Sequence, residues 1–384
     1  MSMRTLKDLG KIVTGNTPKM SERENFDSAD IPFIKPGDIS DDSITVINKG
    51  QFFISENARD KARILPSDSI LVTCIGIIGK VGILTREAAF NQQINGIVPD
   101  INSVIPRYLA YAILSQKSYL QEKANAAVVP IINKSQFSEL KVEVPNLQKQ
   151  NEIVRNLDKV DHLISLQKQQ LKGLDELVKS RFLEMFGMSE GIDKHLEDVA
   201  DICSGITKGR KVLGLELREV PYMAVSNVKM GYIDLSTIKA IMATENEIEQ
   251  YRLFPNDILM TEGGDPDKVG RGAIIRNPPK DCIHQNHIFR VRLHKDVLLP
   301  EFFEEYLQGN SARRYFLKAA KQTTGIASIN MKQLRALPVK IPPIKVQIQY
   351  SDFVHQVDKS KLAVQKSLDE LEILKKSLMQ QYFG

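Results

Sequence analysis

Cysteine is scarce. Cys74, Cys203 and Cys282 are odd in number and far apart, which excludes a disulfide framework and a cysteine-based zinc cluster and points to a reducing, cytoplasmic setting. Long apolar runs are missing too. None approaches the ~18–20 residues of a membrane span, and the opening MSMRTLKDLGKIV has neither the apolar core nor the cleavage site of a secretory signal. Nor is there an excess of one charge: 52 Lys and Arg face 47 Asp and Glu, a net +5. The balance holds in every segment, so an anionic partner is permitted and not demanded. Basic residues that meet such a partner must be gathered by folding. What is present is ordinary globular composition, 42% hydrophobic and 26% charged over 384 residues, enough for two or three domains at roughly 100–200 residues each.

The chain repeats itself with a period of roughly 190–200 residues, far longer than the ~20–50 of a solenoid unit. RTLKDLGKIVTGNTP (4–18) matches KHLEDVADICSGITK (194–208) without a gap, and IPFIKPGDI (31–39) matches VPYMAVSNV (220–228). RILPSDSILVT (63–73) matches RLFPNDILMT (252–261), NQQ (91–93) matches HQN (284–286), and PRYL (106–109) matches PEFF (300–303). INKSQFSELKVEVP (132–145) matches INMKQLRALPVKIP (329–342), VRNLDK (154–159) matches VHQVDK (354–359), and each half ends in Phe-Gly. This is a tandem pair, about 1–187 and 188–384. Matches in every block favour two working sites over duplication with one active copy.

Within each copy a mixed region precedes a helix. Ser69–Ile78 and Val81–Leu84 read as buried strands around a turn, Pro106–Lys123 as an amphipathic helix, and Lys141–Val144 as a strand stopped by Pro145. The texture then changes. Ile153, Leu157, Val160, Ile164, Leu171, Leu174 and Val178 form a heptad seam broken at Gln167. Phe353, Val357, Val364, Leu371, Leu374 and Leu378 are expected at the same seam positions of the second copy, offset by 200, with Ser360 and Ser367 as its polar positions. Gln167 and Ser367 either fix register or lie at a solvated edge. The fold class expected is α+β: two tandem mixed domains, 1–144 and 188–341, and two long helices, 145–187 and 342–384, paired as an antiparallel coiled coil that throws the domains to opposite ends.

Enzymatic motifs fail inspection. Asn277-Pro278-Pro279-Lys280 has lysine where an amino-methyltransferase loop needs an aromatic to stack on the extruded base. The glycines of TEGGDPDKVGRG (261–272) lack the Gly-Lys-Ser/Thr of a phosphate-cradling loop. That segment is read as a surface turn or as a polar loop whose backbone, Arg271 and Lys268 meet phosphates or base edges. Gly79-Lys80-Val81-Gly82 also places a cation between glycines. His284 and His287 have ligand-like spacing without a third partner, and are expected to be satisfied or solvated.

Taken together, LKDLGKIVTGNTP and HLEDVADICSGITKG at the domain starts, LVTCIGIIGKVGI and LMTEGGDPDKVGRGAI inside them, PNLQKQNEIV and PPIKVQIQYSDFV opening the helices, and LVKSRFLEMFG and LKKSLMQQYFG closing them make the whole chain resemble the specificity subunit of a type I restriction–modification system. The resemblance implies a non-catalytic chain without a cofactor of its own, carrying two target recognition domains that read a bipartite site on double-stranded DNA. It implies modification (methyltransferase) subunits that use S-adenosylmethionine and methylate adenine, and a restriction (motor-nuclease) subunit using ATP and Mg2+. No membrane partner is implied. The residue types that read base edges and phosphates make Lys80, Gln92, Gln93, Asn95, Lys134, Lys268, Arg271, Gln285, Asn286 and Lys332 the candidate DNA-binding residues. The alternative is a protein-interaction scaffold, two domains on a coiled-coil rod with no DNA contact.

Overall fold

The computed structural model describes residues 2–41, 43–124, 129–187, 191–210, 216–265, 269–323 and 326–384. The chain forms two units, 1–169 with 365–384, and 170–364.

In the first unit, strands β1 (Gly10–Thr14), β2 (Ile70–Thr73), β3 (Val81–Leu84) and β4 (Ile94–Pro99) form the main sheet in the order β1-β4-β2-β3, with Thr45–Ile47 at the edge. The first three pairings are antiparallel, and the edge strand runs parallel to β3. β2 and β3 are buried at every position, as a sheet covered on both faces requires. Helix α1 (Pro106–Ser115) packs on this sheet and buries Tyr108, Leu109, Tyr111 and Ile113. The sequence expectation ran the helix to Lys123, but it breaks at Gln116 before a second short helix, Lys117–Lys123. The strand expected over Ser69–Ile78 ends at Thr73, and 74–80 form a loop.

The second unit repeats the plan. β5 (Ala200–Ser204), β6 (Asp257–Thr261), β7 (Gly272–Ile275) and β8 (Ile288–Leu293) follow the same order, β5-β8-β6-β7. The left-handed residues Asp68 (φ 64°) and Asn256 (φ 75°) turn the chain into β2 and β6 at matched places. Asx residues tolerate that conformation better than most.

Two helices of 40 residues each carry part of both units: α2 (Leu147–Phe186) and α4 (Ile344–Phe383), with α3 (Pro300–Gln308) standing where α1 stands in the first unit. The long helices are antiparallel. In the first unit, Asn156 donates to the Tyr382 hydroxyl (3.0 Å), Asp161 pairs with Lys375 (2.7 Å) and Lys168 with Glu372 (3.1 Å). In the second unit, Asp175 pairs with Lys361 (2.6 Å) and Phe182 packs edge-on against Tyr350.

The seam of α2 follows the sequence reading: Ile153, Leu157, Val160, Ile164, Gln167, Leu171, Leu174 and Val178 are its less exposed positions. Gln167 is part of that seam and not a solvated edge. Its Nε2 lies 3.3 Å from the Ser367 hydroxyl and its Oε1 is buried. The seam of α4 needs correction. It runs through Tyr350, Val354, Val357, Lys361, Val364, Leu368, Leu371, Lys375 and Leu378. Leu374 is 46% exposed, and Phe353 flanks the seam beside buried Val354. The cause is the offset, which is 197 and not 200. Gln150 and Gln347 fix it, because both are fully buried and make the same bonds. Gln150 accepts from the Ile105 amide (2.8 Å) and donates to the Pro145 carbonyl (2.8 Å). Gln347 accepts from the Leu299 amide (2.9 Å) and donates to the Pro342 carbonyl (2.8 Å). A slip of three residues is nearly one helical turn, so Val357, Val364, Leu371 and Leu378 stay on the seam while their neighbours are displaced. Val357, and not Ser360, matches Val160, and Lys361 takes the seam position of Ile164.

Candidate nucleic-acid interface

Antiparallel register brings four chain segments to one end of each main sheet. In the first unit β1 ends at Thr14 opposite Asn95, β2 ends at Thr73 opposite Ile94, and β3 begins beside the end of β2. The segment after β1, the loop 74–80 and the turn 91–93 therefore converge. Segment 130–133 joins them: the Gly76 amide donates to the Pro130 carbonyl (3.0 Å), and the Ile132 amide to the Cys74 carbonyl (2.8 Å). The second unit gathers the segment after Ser204, the loop after Thr261, the turn 285–287 and residues 328–330 in the same way, the Ile329 amide donating to the Glu262 carbonyl (2.8 Å).

The two cations between glycines are structural counterparts. The Thr73 amide donates to the Lys80 carbonyl (3.0 Å), and the Thr261 amide to the Arg271 carbonyl (3.1 Å). Gly79 (φ 85°) and Gly270 (φ 72°) precede them in the left-handed region that favours glycine. At Gly270 a side chain would also strike the Phe316 ring. Lys80 is half-buried, with its Nζ 3.4 Å from the Pro36 carbonyl. Arg271 is half-buried, and its Nε has no hydrogen-bond partner among the described residues. Lys268 lies outside the described residues.

The amide-bearing turns also correspond, but one residue away from the sequence match. The Asn91 amide donates to the Ile34 carbonyl as the Gln285 amide does to that of Met223. Cys74 and Glu262 donate to the carbonyls of Gln93 and His287. Asn91 thus matches Gln285, Gln92 matches Asn286, and Gln93 matches His287. Gln92 is exposed and accepts from the Thr17 hydroxyl (2.7 Å). Gln93 is half-buried and accepts from Asn91 Nδ2 (2.9 Å). Gln285 accepts from the Val225 amide (3.3 Å), and Asn286 is half-buried beside His287.

Asn95 does not belong with these residues. It is 2% exposed, accepts from the Thr14 hydroxyl (2.6 Å) and points its Nδ2 at the Ile132 carbonyl (3.5 Å). It stands on β4, where alternate side chains face inward, and it braces the sheet. His287, by contrast, is not among the residues the sequence singles out for DNA, and it stands on this end. It is 57% exposed, with its Nδ1 2.6 Å from Glu262 Oε2. The missed signal was the register at 91–93. His284 is fully buried, its Nδ1 3.1 Å from the Tyr251 carbonyl, and burial pushes its pKa down to about 4. It is therefore a neutral core residue at physiological pH. No cluster of three or more potential metal ligands occurs among the described residues.

Lys134 and Lys332 are exposed at short helices whose starts are capped by Asn133 and Asn330. Each Asn accepts from the amide three residues on, and Gln136 or Gln333 returns the bond, a reciprocal box. Their sequence places them just beyond the convergent segments 130–133 and 328–330. The Asn277–Lys280 turn follows the far end of β7, away from the convergent loops.

These features meet known proteins at this point. The family model described as "Type I restriction modification DNA specificity domain" matches twice, over residues 1–176 and 190–372. The chain belongs to this family and is a DNA sequence-specificity subunit. Such subunits are non-catalytic, the chemistry being performed by partner subunits. The specificity subunit of the type I restriction enzyme MjaIX of Methanocaldococcus jannaschii is 23% identical over 98% of this chain and 91% of its own length. That of EcoKI from Escherichia coli is 22% identical over 90% and 79%. Among solved structures, the S subunit of M. genitalium superposes with a TM-score of 0.55 at 14% identity, covering 100% of this chain and 96% of that one. A chain from a study of complex assembly of the type I R-M system gives 0.59 at 14%, covering 99% and 97%. No helix among the described residues is long and apolar enough to cross a membrane.

Proposed function

We propose that the two loop ends are two readers of one split target on double-stranded DNA. Residues 1–144 and 188–341 act as target recognition domains, and 145–187 and 342–384 as the helices that space them and dock modification subunits. The observation that carries this reading is the double occurrence of one arrangement: the same strand order delivers a glycine-flanked cation and an amide-bearing turn to the same sheet end, with an Asn-capped basic helix start beside them. Lys80, Gln92, Gln93 and Lys134 serve one half-site. Arg271, Gln285, Asn286 and Lys332 serve the other, joined by His287 and by Lys268. Cations and amides of this kind contact phosphates and base edges. The partners bind S-adenosylmethionine and methylate adenine within the reader's target, and a restriction subunit using ATP and Mg2+ adds cleavage in the cytoplasm.

A duplex-binding titration against salt tests the reading. Phosphate contacts release counterions, so log K falls linearly with log salt. Removing one cation that meets phosphate, by Lys80→Ala or Arg271→Ala, flattens the slope by about one unit, and removing one that meets a base edge relaxes specificity instead. A chain that binds no duplex at any salt is the scaffold described above.

A further inference from the structure

The two reading ends differ in one respect that the shared framework does not explain. In the first unit, the turn between Gly76 (φ 76°) and Gly79 (φ 85°) splits two adjacent isoleucines. Ile78 is 2% exposed and anchored in the core, whereas Ile77 is 54% exposed at the tip. Ile131 (45% exposed) and Val129 (43%) stand alongside on the segment that bridges to this turn, through the Ile75–Ile131 pairing and the Gly76–Pro130 hydrogen bond. The apolar group is set among the polar readers. Lys80 closes the same turn, the Gln93 carbonyl binds the amide at its base, and Lys134 follows two residues after Ile132. At the corresponding place the second copy reads Gly264-Asp265-Pro266-Asp267-Lys268, with no aliphatic residue other than proline and with Lys268 where the first copy has Ile77.

Resting on the DNA-reading function above, we infer that Ile77, supported by Ile131, is a specificity-determining residue that contacts the C5 methyl of a thymine in the half-site read by the first unit. A group of aliphatic side chains exposed beside cations suits a partner that is apolar where its surroundings are anionic. On the major-groove edge of duplex DNA, the thymine methyl is the apolar feature that tells one base pair from another, and aliphatic contact is how it is read. The cations on either side supply the electrostatic hold that brings the tip to the groove. The second copy's sequence has Lys268 and Ser328 at the places of Ile77 and Ile131, so the methyl requirement is confined to one half-site.

The test uses the full chain assembled with its modification subunits and a duplex carrying its mapped target. Each thymine of both strands is replaced in turn by deoxyuridine, which removes the methyl and keeps the pairing edge. We expect one replacement, in one half-site only, to weaken binding about fourfold, the worth of one buried methyl group. Ile77→Ser should bind the unmodified duplex at that weaker level and be indifferent to the replacement, while Ile77→Val keeps the discrimination. Ile77 is exposed, so folding is not at stake in these variants. Indifference of the wild-type assembly to every deoxyuridine overturns the inference, and so does discrimination that persists in Ile77→Ser. In both cases duplex binding itself survives, which separates this failure from failure of the DNA-reading function, where no duplex is bound. An apolar wedge between base pairs, the other use of such a tip, gives the first of these contrary results.

Discussion

Helices α1 and α3 occupy equivalent places against the long helices, yet their charges are inverted. In the first unit Arg107 pairs with Asp158 (2.8 Å), and the Tyr111 hydroxyl, with one proton to give, lies 2.7 Å from Asp158 and 2.8 Å from Asp161. In the second unit Glu301 faces His355 (3.1 Å) where Arg107 faces Asp158. Glu304, in place of Ala110, has a side chain only 12% exposed, with the Ile274 amide on its Oε1 (2.8 Å) and Arg276 at 3.7 Å. What the two seats share is the buried glutamine, Gln150 or Gln347, bound to the backbone where the domain helix begins. Backbone recognition keeps the geometry, and charged contacts are free to diverge. This fits their energetics: partly exposed ion pairs contribute ~0–1 kcal/mol, whereas a buried amide left without its partner costs ~1–3 kcal/mol.

The largest effect should come from lengthening what the two halves share. One heptad inserted at matched places in both α2 and α4 keeps every seam residue facing inward and lengthens the paired helices by ~10 Å at 1.5 Å per residue. That is about three base pairs at 3.4 Å per step. Methylation mapping should show a longer spacer between unchanged half-sites, DNA bending absorbing part of the increase.

Next in size, Gln150→Ala and Gln347→Ala should each destabilise their own unit by roughly 3 kcal/mol, because one substitution strands both a backbone amide and a carbonyl. Similar losses, read by denaturation and by hydrogen exchange at α1 and α3, would confirm that the seats are equivalent. A large loss in one unit alone would break the comparison.

A smaller effect separates the units by pH. Burial pushes the Glu304 carboxyl up to about 7, with Arg276 opposing the shift in part. An acid raised in the folded state contributes stability at low pH that is lost as pH rises from its unfolded value, near 4.5, through 7. Protection of α3 and the facing part of α4 should therefore decline over that window by no more than roughly 3 kcal/mol, and by less where solvent reaches the carboxyl. Glu304→Gln should abolish the decline, and α1, with Ala110 at the matched place, should not show it.

The smallest contrast concerns the corrected seam. Leu371→Ala should cost ~2 kcal/mol or more, as partly buried leucines do, and Leu374→Ala less than ~0.5 kcal/mol, as exposed positions do. Equal costs in thermal unfolding would restore the offset of 200.

The repeat, the strand pair around the Lys80 turn and the start of α2 were legible in the sequence because each carries a local signal: matched blocks in both copies, apolar runs split by glycines, and Pro145 before α2. Three things were not. Seam positions recur every three or four residues, so sliding one copy by three against the other leaves half the matches intact and hides the error at Leu374. Asn95 looks like its polar neighbours, and only the register of β4 against Thr14 shows that it faces inward. His287 was hidden by one residue of slippage in a turn where the identity of Gln92 with Gln285 favours the wrong frame. The equivalence of Gln150 and Gln347, five residues after Pro145 and Pro342 in both copies, would have fixed the offset.

The central claim is that two equivalent sheet ends read two separate parts of one target. Methylated-adenine mapping in cells carrying the partner subunits with either Lys80→Ala or Arg271→Ala tests it most directly. The account predicts that each variant relaxes or loses only one part of the bipartite target, a different part in each, with the spacer unchanged. Relaxation of the same part by both variants, or an unaltered target and unaltered occupancy in both, would contradict it.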